Sequence, residues 1–252
     1  MKNIIEVKDI SLEYKERDIL KKLKGSKGSI GIKNISFSVR EGEIFSIIGL
    51  NGAGKTTTLK CILGLMKPDS GEVEVFGKSG LKGKDFEKVG YLPEISYYPK
   101  SMKLMDIMKY YGELYNIPKS ELNGKIEEII EKLGLIQRKK DRLEKFSKGM
   151  LQKVGIAQAI LNTPKLLFLD EPMSGLDPLA REMVIEIIKG LKLGGTTIFF
   201  NTHILDDVAS IADKVAIINK GELVEVLDMK KQGKEFDLKK YFIEKVTDDS
   251  SF

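Results

Sequence analysis

The sequence predicts an α/β fold: a parallel-sheet core, an antiparallel β subdomain towards the N-terminus and a helical subdomain inserted between core strands. Three observations predict it. The early apolar runs, Ile4 to Leu12 and Ile32 to Val39, alternate with polar residues, as a sheet with one wet face requires. Later runs such as Leu166-Leu167-Phe168-Leu169 are continuously apolar, as strands covered on both faces are. Between them, three helical patterns follow one another from Lys103 to Leu161 without a strand, which marks an insertion in an α/β chain.

In order, strands are predicted at Ile4 to Leu12, Ile32 to Val39, Ile44 to Ile48, Glu72 to Phe76, Leu166 to Asp170, Thr196 to Asn201, Val215 to Asn219 and Glu222 to Val226. Lys220-Gly221 marks a hairpin between the last two. Helices are predicted at Thr56 to Leu65, Lys103 to Tyr115, Lys119 to Leu133, Lys148 to Leu161, Pro178 to Leu191 and Ile204 to Ala212, with a frayed tail from Thr247. No fixed-period repeat and no heptad array is present.

Composition narrows the class. The 252 residues are 42% hydrophobic and 31% charged, the profile of an ordinary globular protein with length for a sizeable core. A single cysteine, Cys61, permits no internal disulfide. With no secretory apolar region at the N-terminus and no apolar run of about eighteen residues, the expectation is a chain that stays in a reducing cytoplasm and crosses no bilayer itself. The net charge of +5 is concentrated in residues 15–33, where Lys15, Arg17, Lys21, Lys22, Lys24, Lys27 and Lys33 face only Glu16 and Asp18. Gly25, Gly28 and Gly31 punctuate this stretch, which reads as a solvated loop between strands; anionic lipid headgroups or nucleic acid are the alternative contacts.

The strongest chemical signal is Gly49-Leu50-Asn51-Gly52-Ala53-Gly54-Lys55-Thr56, the pattern G-x-x-x-x-G-K-[ST] directly after an apolar strand and before a helix. Glycines are required because the backbone must wrap phosphates with its N–H groups turned inward. Lys55 is expected to bridge the β- and γ-phosphates and Thr56 to ligate Mg²⁺, which makes the chain a P-loop NTPase. A second centre closes the strand Leu166 to Leu169 with Asp170 and Glu171, at the carboxyl end where ligands gather in open α/β sheets. Asp170 is suited to hold Mg²⁺ through its water shell and Glu171 to polarise an attacking water as general base.

These motifs, with those that follow, resemble the nucleotide-binding domain of an ATP-binding cassette (ABC) transporter over about residues 3–228. Phe146-Ser147-Lys148-Gly149-Met150-Leu151-Gln152 stands at the family signature; Ser147 and Gly149 match, while Lys148 and Met150 replace the commoner Gly and Gln. Ser174-Gly175-Leu176-Asp177 matches the D-loop, and His203, the only histidine, falls at the switch position after a strand. Glu94, in Gly90-Tyr91-Leu92-Pro93-Glu94, occupies the Q-loop place where glutamine is usual.

The resemblance implies a RecA-like parallel core and an ABC-type domain over 1–228, with a helical subdomain at about 95–162 and a C-terminal helical extension and tail over 229–252. It implies ATP and Mg²⁺ as cofactors. Tyr14, Gly49, Asn51, Gly52, Ala53, Gly54, Lys55, Thr56, Thr57, Ser147, Gly149 and Asp177 would bind nucleotide; Thr56, Asp170 and Glu94 would serve the metal; and Glu171, His203 and Lys55 would carry catalysis. Two ATPase chains, identical or related, would pair head to tail. Each ATP would lie between the phosphate loop of one and the Ser147–Gly149 segment of the other. A separate transmembrane permease subunit would dock on the Glu94 to Met108 region, rich in Tyr97, Tyr98, Met102, Leu104 and Met105. The chain would then sit peripherally on the cytoplasmic face of the membrane and power transport, with the sequence forms closest to exporters. The alternative is a soluble ABC ATPase acting on nucleic acid or the ribosome. Such proteins resemble fused double cassettes or cassettes split by coiled coils, whereas one cassette without heptads stands here.

Overall fold

Along the first strand, after Ile4 at its start, the buried apolar positions are Ile5 and Val7, then Ile10 and Leu12; along its neighbour they are Ile32, then Ile35, Phe37 and Val39. Each series changes from one parity to the other, and a strict period of two cannot do that without an extra residue. The computed structural model places that residue: Asp9 and Asn34 both take positive φ, at 50° and 49°, and the strand register shifts there. The Ser36 hydroxyl accepts from the Asp9 N–H and donates to its carboxylate, each at 2.7 Å, which satisfies the interrupted ladder.

Residues 2–14, 29–233 and 235–248 are described. In chain order the elements are β1 (Asn3–Tyr14), β2 (Ser29–Arg40), β3 (Ile44–Ile48), α1 (Lys55–Ile62), β4 (Ser70–Val75), β5 (Lys78–Ser79), β6 (Val89–Leu92), α2 (Leu104–Leu114), α3 (Lys119–Lys132), α4 (Lys148–Ile160), β7 (Leu166–Asp170), α5 (Pro178–Leu193), β8 (Thr197–Thr202), α6 (Leu205–Ile211), β9 (Lys214–Asn219), β10 (Glu222–Asp228) and α7 (Leu238–Asp248). The predicted α/β class, with an antiparallel N-terminal sheet and parallel strands after it, is present. Residues 15–28, which hold most of the basic stretch, lie outside the described residues, as do residues 249–252 of the tail; Thr247 itself is helical.

The chain divides into two units, Met1–Leu81 with Asn201–Phe252, and Lys82–Phe200; it passes from the second back to the first within β8. The first unit holds the antiparallel sheet in the order β2-β1-β4-β5 and the strands β10-β9-β3. β3 is buried along its whole length and runs parallel to β9, while β9 and β10 form the expected hairpin. Its turn residues Lys220 and Gly221 have φ of 48° and 84°, the paired left-handed conformation a two-residue turn needs. Helix α7 starts where Asp237 accepts from the Lys239 and Lys240 N–H groups, and buries Leu238, Phe242 and Val246 at a spacing of four.

In the second unit, β6 and β7 pair in parallel, and β7 is buried throughout. Helices α2, α3 and α4 follow one another as predicted, with Leu104, Ile107 and Met108, then Leu122, Ile126 and Ile130, then Val154 and Ala157 turned into their shared core. Strand β6 was not predicted, because its four residues are centred on Gly90, a weak β former. The structure shows why glycine stands there. A Cβ on Gly90 would lie 1.9 Å from the Ala159 carbonyl oxygen of α4, so a side chain would push helix and strand apart.

Candidate functional site

The phosphate loop leaves the buried end of β3 and enters α1. Its glycines are needed for close approach as well as for conformation. A Cβ on Gly49 would meet the Ile218 carbonyl oxygen at 2.4 Å, and Gly54, at φ 105°, has Ile32 and the Gly31 carbonyl within 2.9 Å of where a Cβ would stand. The β9–β10 hairpin holds the loop from outside, the Gly221 N–H donating to the Ala53 carbonyl at 3.0 Å. The Lys55 ammonium is buried inside the loop and donates to the Gly49 and Leu50 carbonyls at 2.9 and 3.3 Å. No side chain caps α1 and no acid stands in its first turn, so the helix does not neutralise its own positive end, which meets the loop.

Around the loop stand three more of the predicted residues. The hydroxyls of Tyr14 and Thr57 share a 2.8 Å hydrogen bond, and the missing side chain of Gly31 makes room for the Tyr14 ring. His203, exposed just beyond β8, lines a cavity of about 270 Å³ together with Gly49, Leu50, Asn51, Leu205 and Phe242. The first unit thus brings Tyr14, the whole 49–57 segment and His203 to one place.

In the second unit, the apolar run of β7 carries Asp170 to 1% exposure and Glu171 to 8%. Glu171 adopts φ 52°, a left-handed conformation that costs a non-glycine residue on the order of 1 kcal/mol or more and persists only where surroundings enforce it. The Glu171 carbonyl is held by two donors at 3.1 Å, the Ser174 N–H and the side-chain amide of Gln152, which also donates to the Pro172 carbonyl at 3.1 Å. The Tyr91 phenol is pushed up to about 12, by burial first and by the negative charge of Asp170 second. Carboxylate charge is therefore felt at the end of β6 as well as β7.

The signature segment is a helix start. Ser147 caps α4, accepting from the Met150 N–H at 3.2 Å. Gly149 sits where a Cβ would be 3.1 Å from the Gly175 carbonyl, and the aliphatic stem of Lys148 lies about as close to the Cβ direction of Gly175 as contact allows, at 3.4 Å. Signature and D-loop segments are thereby packed together in this unit. Asp177 caps α5 through the Ala180 N–H at 2.9 Å, with Pro178 at the first helical position.

Glu94 is exposed on the loop after β6. The apolar surface expected around it needs correction: Leu104 is fully buried in the helical core, and Tyr98 is half-buried with its hydroxyl 3.4 Å from the Gln158 amide oxygen, so both are packing residues. Met102 and Met105 are half-buried, while Ile95 and Tyr97 are exposed, Tyr97 at 87%. Sequence reasoning assigned no role to Gln152, although it closes the signature motif, or to Phe242, for which no motif exists.

The first unit offers the Thr56 hydroxyl and the second, taken by itself, the Asp170 and Glu94 carboxylates; each is a hard oxygen donor, the chemistry that suits Mg²⁺. Among the described residues no three His, Cys, Asp or Glu side chains gather as a ready metal cage.

Comparison with known proteins agrees with this arrangement. The ABC transporter family model matches residues 32–174. An ABC transporter ATP-binding protein of Synechocystis is 47% identical over 195 residues, which is 77% of this chain and 55% of that protein. The bacitracin transport ATP-binding protein of Bacillus licheniformis is 36% identical over 223 residues, 86% of this chain and 71% of that one. Among solved structures, an ATP-binding subunit of an ABC transporter superposes with a TM-score of 0.82 at 29% identity, over 96% of this chain and 99% of that chain. The chain spans little more than half the length of the Synechocystis relative. A likeness that runs through sequence and fold together has one meaning: the chain belongs to the ABC transporter family.

Proposed function

We propose that this chain is the ATP-binding and ATP-hydrolysing subunit of an ABC transporter, working through a separate transmembrane subunit. The observation that carries the reading is the phosphate loop, where a buried lysine and an uncapped helix start face a cradle that tolerates no side chain at Gly49 or Gly54. Such a cradle binds a triphosphate by backbone N–H groups and the Lys55 charge. Tyr14 stacks on the base, Asn51, Gly52, Ala53, Thr56 and Thr57 complete the phosphate contacts, and Thr56, Asp170 and Glu94 are the residues that would hold Mg²⁺. When bound, Mg²⁺ neutralises charge on the β- and γ-oxygens.

Glu171 withdraws a proton from the attacking water; it is buried, and its backbone carbonyl is held by the Gln152 amide. His203 and Lys55 stabilise charge on the transferring phosphoryl group. Two chains pair head to tail, with Ser147 and Gly149 of one and the phosphate loop of the other on the same ATP, and Asp177 in the segment between protomers. ATP closes the pair and hydrolysis opens it. The stretch of about 95–162 acts as the helical subdomain that meets the transmembrane subunit, with Ile95 and Tyr97 as its apolar contacts, while 229–252 is an extension of the ABC-type domain over 1–228. The site of action is the cytoplasmic face of a membrane, and export is the direction that the Tyr91-Leu92-Pro93-Glu94 and Phe146 to Met150 sequence forms favour.

The test is light scattering with size exclusion on the Glu171→Gln chain, with and without ATP, beside turnover of the parent chain. ATP-dependent dimerisation of the variant with hydrolysis only by the parent is the expected result. Rapid turnover by the variant would remove Glu171 from the role of base.

A further inference from the structure

We propose that the C-terminal helix α7 is part of the ATPase site, with Phe242 as a positioning residue that sets His203 against the phosphate loop. The inference rests on the role given to His203 above and extends it to an element beyond the 32–174 segment matched by the family model.

Phe242 is the one residue of α7 that lines the 270 Å³ cavity, and it does so opposite Gly49, Leu50 and Asn51 of the phosphate loop and beside His203 and Leu205. It is 8% exposed, held in a stripe with Leu238 and Val246. A phenyl ring at the middle of that stripe reaches further than either aliphatic neighbour, and it reaches into the cavity. The helix that carries it is anchored rather than loosely docked: Asp237 caps it, the Tyr241 hydroxyl donates to Glu225 of β10 at 2.6 Å, and Lys245 pairs with the same carboxylate at 3.6 Å.

His203 stands in the turn between β8 and α6. Helix α6 has only seven residues, and its capping position, Ile204, makes no side-chain hydrogen bond. The Thr202 hydroxyl accepts from the Ile204 N–H at 3.1 Å, which orients the turn but leaves the direction of the helix start to packing. Leu205, the first residue of α6, shares the cavity with Phe242. The ring therefore defines the wall against which the His203–Leu205 segment settles. A histidine that must meet a phosphoryl group in the transition state is sensitive to shifts well under the size of a phenyl ring, since a misplacement of about 1 Å costs on the order of 100-fold in rate.

The test uses the full chain in four forms: parent, Phe242→Ala, Phe242→Leu and His203→Ala. Because His203 is the only histidine, its imidazole C–H signals form a single set in an NMR spectrum. Phe242→Ala is expected to lower kcat for ATP about tenfold or more while KM stays within about twofold, and to shift or broaden the His203 signals. Phe242→Leu, which restores most of the volume, should recover both. Tyr241→Phe loosens α7 without touching the cavity and serves if the alanine variant fails to fold; it should move the same signals and lower kcat less. Unmoved His203 signals in a folded Phe242→Ala or Tyr241→Phe chain would overturn the proposal, as would equal losses in the alanine and leucine variants. Parental turnover by His203→Ala would sink the catalytic reading of the histidine instead, with the NMR comparison still deciding whether Phe242 positions it.

Discussion

The unit containing Lys55 and the unit containing Glu171 present the groups assigned above to phosphate by opposite means. In the first, the donors are backbone N–H groups of a loop whose glycines are pressed against Ile218, Ile32 and Gly31, with a lysine folded inside. In the second, the groups are side chains, Asp170, Glu171, Ser147 and Asp177, each aimed by a buried strand end or by a helix cap. A backbone-built site has little to lose from a side-chain exchange and everything to lose from an added Cβ. A site built of side chains behaves the other way, tolerating shape changes poorly only where a carboxylate or hydroxyl is lost.

That difference sets the order of expected effects. Glu171→Gln, nearly isosteric, should lower ATP turnover by about 100- to 10,000-fold while leaving ATP affinity within a few-fold of the parent, measured by turnover and by equilibrium binding. Gly54→Ala should do the reverse. With φ 105° and Ile32 2.7 Å from the new Cβ, the loop must deform, and nucleotide affinity by calorimetry should fall by more than about tenfold. If Gly54→Ala bound ATP normally, the cradle would not be the tight fit described here.

Gln152→Ala is intermediate. It takes one of two donors from the Glu171 carbonyl, which keeps the Ser174 N–H, and removes the side-chain donor of the Pro172 carbonyl, at about 1–3 kcal/mol for an unsatisfied buried group; it also loosens the hold on the strained Glu171 backbone. Thermal denaturation should show a loss of stability together with reduced kcat; a stability loss alone would confine Gln152 to packing. Ser147→Ala removes the α4 cap at a cost of about 1 kcal/mol, or about 2–4 °C in Tm for a chain of this size, whereas Ser147→Asp keeps a cap. The aspartate should melt near the parent yet abolish ATP-driven dimerisation in the Glu171→Gln background, because it sets a negative charge where phosphate is received.

A last measurement reports on the first unit, and its nucleotide-dependent part is the smallest change expected. Burial pushes the Cys61 thiol, in α1, up to about 11, so at pH 8 only about one thiol in a thousand is ionised in the native state. Reaction with a disulfide reagent should run on the order of 100-fold or more slower than for the unfolded chain, rise with pH towards that value, and slow further with ATP if the nucleotide tightens the loop ahead of α1.

Much of this was legible beforehand for a physical reason. Gly49 to Thr56 is contiguous, and its glycine spacing is a local conformational demand that a sequence states directly. The boundaries of β3 and β7 were likewise readable, because a strand buried on both faces is a run of apolar residues ended by the first polar group. Elsewhere the signal was weak or shared. Strand β6 hid behind Gly90, whose purpose is contact with α4, and Leu104 looked like surface because an apolar residue at a helix start is compatible with either a core or an interface. Glu171 offered no hint of its positive φ or of the amide, nineteen positions earlier in the chain, that helps hold its carbonyl.

By itself, the amino-acid sequence determined the α/β class, the phosphate loop with Lys55 and Thr56, the acidic end of β7, the cap at Ser147 and the hairpin at Lys220-Gly221, since each depends on neighbours within a few residues. Only the tertiary structure decided that Tyr14 is tied to Thr57, that Gln152 holds the strained Glu171 backbone, and that Phe242 shares a cavity with His203 and Gly49. Those pairs lie tens to nearly two hundred residues apart. Their meeting is set by packing of whole elements, a property that local periodicity and spacing do not carry.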